Sequence, residues 1–300
     1  MHYYHLIAGL PDLSYDDDKT PYRVENFKQQ LYEIMPKTDK KLVHDLFLKY
    51  DNNNLLSFLR DENAVFDTKG SFSHKEIAHI VQIVREETNQ SDKTTPHSDD
   101  ETFTGLWHRT KPFNKKMPPY FKGFISDYIT GDEALKEMFW EDRLASLYYD
   151  YLGQSKNKFV SDWAELNLNI NNVMIALACR RNGKTHAPYI VGNNAAANTL
   201  RNSNARDFGL TEIFPQFDQI RRIDEGTNLI EKEQNIDRLR WEWIEEENTF
   251  NYFTIERVIG YLFKLQMMER WMLLNDVKGK QIFKDIVNNL KKTALNPVGF

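Results

Sequence analysis

Hydrophobic residues recur every three or four positions over much of the chain, which is the spacing of one face of an α-helix. The clearest run lies between residues 248 and 280 and predicts a long helix there. Asn251 or Thr254 is the candidate cap at its start, and Lys278-Gly279 marks a stop after it. The apolar positions of this predicted helix are Ile255, Val258, Ile259, Leu262, Phe263, Leu265 and Met268.

The same spacing predicts helices along the rest of the chain. Ser73 and Glu76 have the spacing of a capping box. Gly183 is expected to end one helix, Gly131 to interrupt another, and Gly226 is a candidate bend point in a third. The predicted helices cover residues 22–34, 39–50, 73–87, 120–151, 159–181, 217–247 and 281–290.

Two segments leave more than one interpretation open. Residues 3–10 fit a strand or helix turn in the core, or a surface anchor for a partner or a bilayer. The core interpretation is favoured because single apolar segments are usually buried. Residues 191–206, rich in Asn and Ala, fit a loop with one helical turn or a loosely packed helix that another chain approaches. The loop is favoured there.

Beyond the first ten residues no alternating pattern predicts a strand, so the predicted fold class is all-α. We expect an N-terminal helical region over residues 1–118, with a flexible loop over 88–119, and a C-terminal helical-bundle region over 119–300. The loop is predicted because its first part is entirely polar and contains a proline. Residues 53–59 and 171–177 share a pattern 118 positions apart, which indicates either a duplicated bundle or chance.

Composition excludes several classes of protein. The 300 residues are 41% hydrophobic and 28% charged, as in ordinary folded domains. A net charge of −5 gives no electrostatic reason to expect a nucleic-acid partner. Cys179 is the single cysteine, in an apolar run that favours a buried, unreactive thiol. Neither a signal peptide nor an apolar stretch of about 18 residues is present, so we expect a cytoplasmic protein.

Motifs for catalysis, metals or cofactors are not found. Gly183-Lys184-Thr185 matches the end of a phosphate-binding loop, but Ala178 stands where that loop needs a glycine. The preceding residues are also predicted to be helical, whereas that loop follows a strand. His74 and His79 are five apart and point to different faces of a helix. We therefore expect no catalytic residue, metal site or cofactor, and an interaction scaffold instead.

The C-terminal segment contains Gly260-Tyr261, Lys264 and Glu269, followed by Lys278-Gly279. With these residues it resembles the end of the central-stalk subunit that joins the shaft to the membrane ring in V-type and archaeal-type rotary ATPases. Residues 51–60 and 169–181 look like the recurring Asp-x-x-Asn elements of that family. The opening YYHLIAGLPDL together with DNNNLLSFL is similar to domain of unknown function 2764 (DUF2764) of Bacteroidetes-type bacteria. Members of that family resemble products of V-type ATPase operons that stand in place of this central-stalk subunit.

The resemblance implies helical bundles arranged as a funnel or cup. It also implies a non-catalytic rotor subunit that couples the shaft of a V/A-type ATPase to its membrane ring for proton or sodium transport. Such a protein would be cytoplasmic and peripheral on the inner face of the cell membrane. The alternatives are a soluble helical adaptor unrelated to the rotary ATPase, or an enzyme, which would need a cleft with convergent His and carboxylate side chains.

Five basic residues are candidate contacts with acidic groups of the ATPase partners. They lie near predicted helix ends or on the charged side of the C-terminal helix. Ordinary solvated charge is the favoured alternative for each of them. These candidates are Arg180, Arg181, Lys184, Arg257 and Lys264.

Overall fold

The computed structural model describes residues 3–17, 19–91, 117–131 and 140–275, and every regular element in these ranges is helical. The predicted all-α class is therefore confirmed for the described part of the chain. The predicted helix over 281–290 and most of the predicted 88–119 loop lie outside these ranges. No helix in the described ranges combines the length and the apolar character needed to cross a bilayer.

The helices are named here in chain order. A short 3₁₀-helix at Ala187–Tyr189 lies between the seventh and eighth of them. The α-helices are α1 (Tyr4–Ala8), α2 (Val24–Ile34), α3 (Lys37–Arg60), α4 (His74–Ser91), α5 (Tyr120–Thr130), α6 (Trp140–Gly153), α7 (Lys158–Arg181), α8 (Ala195–Asn202), α9 (Phe217–Glu225), α10 (Leu229–Glu247) and α11 (Ile255–Asn275).

The chain folds into two compact units. The first unit joins residues 1–43 to residues 226–300, and the second is the continuous segment 44–225. Helix α3 contributes its first residues to the first unit and the rest to the second. The boundary drawn at residue 118 from the sequence falls inside the second unit.

The core of the first unit forms where α11 packs against α2 and α10. Phe27 and Leu31 of α2 are fully buried, as are Val258 and Leu262 of α11. Six of the seven predicted apolar positions of α11 are buried and Ile255 is half-buried, so the helical spacing identified the packed face correctly. Burying each such side chain contributes about 1.5–3 kcal/mol.

Helix α7 is the centre of the second unit. It packs against α6, α8 and α9, while α5 packs against both α4 and α6. Val160, Ile170 and Val173 place its apolar face in the core. Its interior asparagines Asn169 and Asn172 are also buried, and both have polar partners. Those partners offset the cost that asparagine carries in a helix interior.

Several predicted helix ends are confirmed. The Glu76 carboxylate accepts a hydrogen bond from the Ser73 main-chain N–H at 2.8 Å, and the Ser73 hydroxyl accepts one from the Glu76 N–H at 3.3 Å. This is the reciprocal pattern of a capping box. Gly131 and Gly183 have φ of 62° and 64° just after α5 and α7. Glycine adopts this left-handed conformation without a Cβ penalty.

Three predicted segments are corrected by the structure. The 217–247 segment is two helices, because the Asn228 side chain accepts hydrogen bonds from the N–H groups of Ile230 and Glu231 and starts α10 anew. Residues 195–202 form α8 rather than a loop with one turn, because Asn194 caps that helix through the Ala197 N–H. The helix predicted over 39–50 continues to the end of α3.

The N-terminal apolar segment contains a short helix, α1, but the favoured interpretation of this segment as part of the core is wrong for the helix. Tyr3 is buried, but Tyr4 is 49% exposed and the helix itself contains no buried residue. The hydroxyl of Tyr3 donates a hydrogen bond to the Asp39 carboxylate at the start of α3. The segment is thus anchored through the residue that precedes the helix.

Candidate functional site

A cavity of about 300 Å³ lies in the first unit, between the N-terminal segment and helices α10 and α11. Ile7 and residues 10–13 form one wall, and residues near the end of α10 and the start of α11 form the others. We call it the polar cavity, because charged and polar side chains supply half of its lining. These are Asp12, Glu245, Asn248, Arg257, Tyr261 and Lys264.

Lys264 is a buried cation at this cavity, with only 7% of its surface exposed. Its ammonium group pairs with the Glu245 carboxylate and lies 4.8 Å from the ring centre of Trp241. Burial lowers the pKa of Lys264 because it penalises the charged form, and the hydrogen bond and charge of Glu245 partly oppose this. The Glu245 carboxylate and the Trp241 ring hold the Lys264 ammonium group in place at the cavity wall.

Asn248 and Tyr261 line the cavity, and polar atoms of both side chains are buried without a hydrogen-bond partner in the described structure. Asn248 is 3% exposed, and both its amide nitrogen and its amide oxygen are unpaired. The Tyr261 hydroxyl is also buried and unpaired, and burial raises its pKa well above the usual value. An unpaired buried polar group costs about 1–3 kcal/mol, so burial of these atoms opposes the stability of the first unit.

Gly260 allows α10 and α11 to approach closely at this point. A Cβ at residue 260 would overlap the Asn248 amide nitrogen and would lie 2.9 Å from the Ile244 Cγ2 atom. Only glycine leaves room for the asparagine side chain against the helix backbone. The position of Asn248 is therefore set by both helices.

The connection between α10 and α11, residues 249–254, exposes three aromatic rings, and we call it the aromatic loop. Phe250 is 86% exposed, Tyr252 67% and Phe253 37%. The Phe253 ring contacts that of Tyr4, with the ring centres 4.7 Å apart. Aromatic residues are enriched at the centres of protein interfaces, whereas exposed ones cost solubility on a free surface.

The five predicted partner contacts lie in two places. Arg257 and Lys264 line the polar cavity, Arg257 half-buried and without an ion pair in the described ranges. Arg180, Arg181 and Lys184 lie in the second unit at the end of α7. No partner is present to test these contacts, so all five stay predictions.

The basic residues at the end of α7 differ in what they bind inside the chain. Arg180 donates to two main-chain carbonyls of residues 205–206, each at 2.7 Å, and its guanidinium lies 3.6 Å from the Phe208 ring centre. Arg181 pairs with the buried carboxylate of Asp224. Lys184 is exposed, and its charge acts on the nearby Cys179 thiol.

The described residues contain no group of three or more His, Cys, Asp and Glu side chains placed to hold a metal ion. Burial raises the pKa of the half-exposed Cys179 thiol more than nearby Lys184 lowers it, opposite to the shift that activates a thiol nucleophile. The N–H groups of Gly183 and Lys184 bond to carbonyls at the end of α7. They are therefore not directed toward a phosphate, as a nucleotide-binding loop would require.

Sequence reasoning identified Gly260-Tyr261, Arg257 and Lys264 but missed Asn248 and Asp12, which lie beside them in the cavity. The one available signal was the helical spacing, which places Glu245 three residues before Asn248 and thus on the same side of α10. Nothing in the sequence showed that the asparagine amide would be buried without a partner.

Comparison with known proteins identifies a family for the whole chain. No curated protein and no solved structure matches it. One family model, described as "Protein of unknown function (DUF2764)", matches residues 1–104 and 100–294. These two matches span nearly the entire sequence and agree with the resemblance noted at its start. The chain therefore belongs to the DUF2764 family.

Proposed function

We propose that this protein is a non-catalytic central-stalk subunit of a V/A-type ATPase, which couples the shaft to the membrane ring during ATP-driven proton or sodium transport. The observation that carries this is the coincidence of two features in the first unit. Gly260-Tyr261 and Lys264, which resemble the C-terminal signature of the central-stalk family, line the polar cavity. The exposed aromatic loop follows Asn248 directly in the chain.

The chemistry of this surface favours a protein partner. Exposed Phe250 and Tyr252 would bury large apolar areas on association, while Arg257 and Lys264 would supply charge complementarity beside them. A protein that couples two others needs stiff helices and broad polar contacts rather than a titratable catalyst. Lys184 is a further candidate contact, because its charge is exposed at the end of α7.

In this proposal the helical bundles form a funnel, with a rim on the membrane ring and a hollow that receives the end of the shaft. The protein would then be cytoplasmic and peripheral on the inner face of the cell membrane. These features follow from the resemblance to the central-stalk family, and the helical class of the described residues is compatible with them.

The test is purification of the tagged full-length protein from cells that make it, under gentle detergent extraction of the membranes. We expect the ATPase shaft and ring proteins to co-purify with it. Repeated recovery of neither would contradict the proposal. A soluble adaptor role would be favoured instead if the protein bound another complex and a deletion strain kept an intact, ATP-hydrolysing V/A-type ATPase.

A further inference from the structure

The junction of α10 and α11 joins exposed aromatic rings to exposed carboxylates. The last turn of α10 carries glutamates at residues 245–247, and the aromatic loop begins one residue later. The Thr249 hydroxyl donates a hydrogen bond to the Glu245 main-chain carbonyl at 3.1 Å. The Asn251 amide donates one to the Glu247 main-chain carbonyl at 3.0 Å. The loop is thus held against the end of the helix that carries the carboxylates.

These glutamates stand where a helix favours positive charge. The end of α10 carries the negative pole of the helix dipole, and its last turn contains no basic residue. Glu245 is paired with the buried Lys264, whereas Glu246 and Glu247 are exposed and pair with no residue in the described ranges. A charge that opposes its own helix without a compensating contact is expected where function requires it.

The exposed rings extend from the aromatic loop to the N-terminal segment. Phe253 packs against Tyr4 of α1, and both rings belong to the first unit. Phe250 and Tyr252 expose more than half of their surface beside them in the chain. We call these four rings and the carboxylates of residues 246–247 the acidic-aromatic surface. Exposed apolar groups in one place, rather than scattered singly, indicate an interaction site.

Aromatic ring faces and carboxylates both attract cations. The face of a ring carries negative potential, and a guanidinium group can stack on it while it pairs with a carboxylate nearby. The first unit already contains this arrangement, because Arg238 lies 4.6 Å from the Tyr15 ring centre and pairs with Asp16 at 3.0 Å. Lys264 is held by a ring and a carboxylate in the same way. The acidic-aromatic surface presents the same two groups to an approaching partner.

The charge of this surface distinguishes a protein partner from a membrane. The cytoplasmic face of a membrane is negatively charged, so the carboxylates at residues 246–247 oppose its approach. Segments that lie on membranes instead combine aromatic rings with lysine and arginine. A basic protein segment is attracted by the rings and by the carboxylates together.

From these observations we infer that the acidic-aromatic surface binds a basic segment of a partner protein. Arginine or lysine side chains of that segment stack on the exposed rings and pair with Glu246 and Glu247. This inference deepens the proposed function, because it rests on the aromatic loop being a docking surface and supplies the chemistry of the partner. It does not require the partner to be an ATPase component. Recovery of shaft and ring proteins tests the complex, whereas binding of peptides to the purified protein tests the chemistry.

The test selects random linear peptides displayed on phage against the immobilised full-length protein. We expect the selected peptides to be enriched in arginine and lysine relative to the unselected library. The charge-reversed variant, Glu246→Lys with Glu247→Lys, should bind the synthetic basic peptides about ten-fold more weakly in fluorescence anisotropy and should select acidic peptides instead. The matched control, Glu25→Lys with Glu212→Lys, makes the same change in net charge at exposed positions elsewhere and should leave binding unchanged.

The charge-reversed variant should remain folded, because lysine suits the C-terminal end of a helix. A second variant, Phe250→Ser with Tyr252→Ser, tests the rings and should also weaken binding of the basic peptides about ten-fold. Absence of any selected binder, selection of neutral or acidic peptides by the natural protein, or equal binding by either variant would overturn the inference. Ring-dependent binding to vesicles of phosphatidylserine and phosphatidylcholine would also overturn it, since that result would assign the surface to a membrane.

Discussion

At the scale of single residues, the stability of the second unit depends on buried polar side chains. Sequence patterns do not show which of these side chains are buried and hydrogen-bonded. Asn171 and Asn172 are neighbours of the same type in α7, yet Asn171 is exposed and Asn172 is fully buried. The amide of Asn171 donates a hydrogen bond to the Tyr149 hydroxyl at 3.3 Å. The amide of Asn172 satisfies both main-chain groups of a buried residue, so the two positions should respond very differently to substitution.

We expect Asn172→Ala to lower the free energy of unfolding by about 3 kcal/mol, because it leaves a buried N–H and a buried C=O of Val191 unpaired. Asn171→Ala, the matched control, should change it by less than about 0.5 kcal/mol. Urea unfolding followed by circular dichroism measures both. Equal losses for the two variants would show that the pairing with Val191 is not the source of the stability.

Lys264 gives a prediction about pH. Its pKa in the folded protein is lowered from the ordinary value of 10.5, mainly by burial. Between the lowered pKa and 10.5 the unfolded chain binds more protons at this residue than the folded protein does. The contribution of Lys264 to folding therefore becomes more favourable as the pH rises through that window.

We expect the unfolding free energy of the natural protein minus that of Lys264→Met to rise as the pH increases toward 10.5. Urea unfolding at several pH values measures it, and Lys184→Met controls for the loss of one positive charge at an exposed position. A difference that is flat or falls with pH would mean that burial of Lys264 does not dominate its titration.

At the scale of elements, helix ends were the most predictable feature because the groups that form them are close in sequence. The capping box at Ser73 and the glycine after α7 both act within a few residues. The break between α9 and α10 depends on the cap at Asn228, which also acts within a few residues. The helical spacing of apolar residues continues across Asn228, so the spacing did not indicate the break. A prediction from the spacing alone therefore assigned one helix where the structure has two.

We expect Gly183→Ala to destabilise the protein by about 1–2 kcal/mol, because φ at this position is 64° and an L side chain is strained there. A Cβ at Gly183 would meet no other atom, so the loss would be conformational rather than steric. The matched control is Gly153→Ala at the end of α6, where there is also free space but no positive φ. That change should be neutral or slightly stabilising, and a similar loss at both sites in thermal unfolding would contradict the expectation.

At the scale of the whole molecule, the exposed aromatic side chains of the first unit are the features that association should use. Three of them occur within the six residues of the aromatic loop. Such rings contribute little to the stability of the free protein but can dominate the binding energy of an interface. Substitutions in this loop should therefore weaken binding to a partner without lowering the stability of the free protein.

We expect Phe250→Ser combined with Tyr252→Ser to reduce recovery of the ATPase shaft and ring proteins about ten-fold, with the thermal unfolding midpoint unchanged. Val65→Ser is the matched control, because Val65 is 96% exposed but lies in the second unit. Full recovery of the partners with the double variant would exclude the aromatic loop as their docking surface. Quantitative mass spectrometry of the purified complexes makes the comparison.

The sequence by itself determined the helical class, the buried face of α11 and the caps at Ser73 and Gly183. These depend on spacing and hydrogen bonds within a few residues, which the order of amino acids specifies directly. Only the tertiary structure decided that residues 1–43 join 226–300 and that Asn172 is paired while Asn248 is not. The physical reason is that burial and pairing of a polar group depend on which distant segment folds against it.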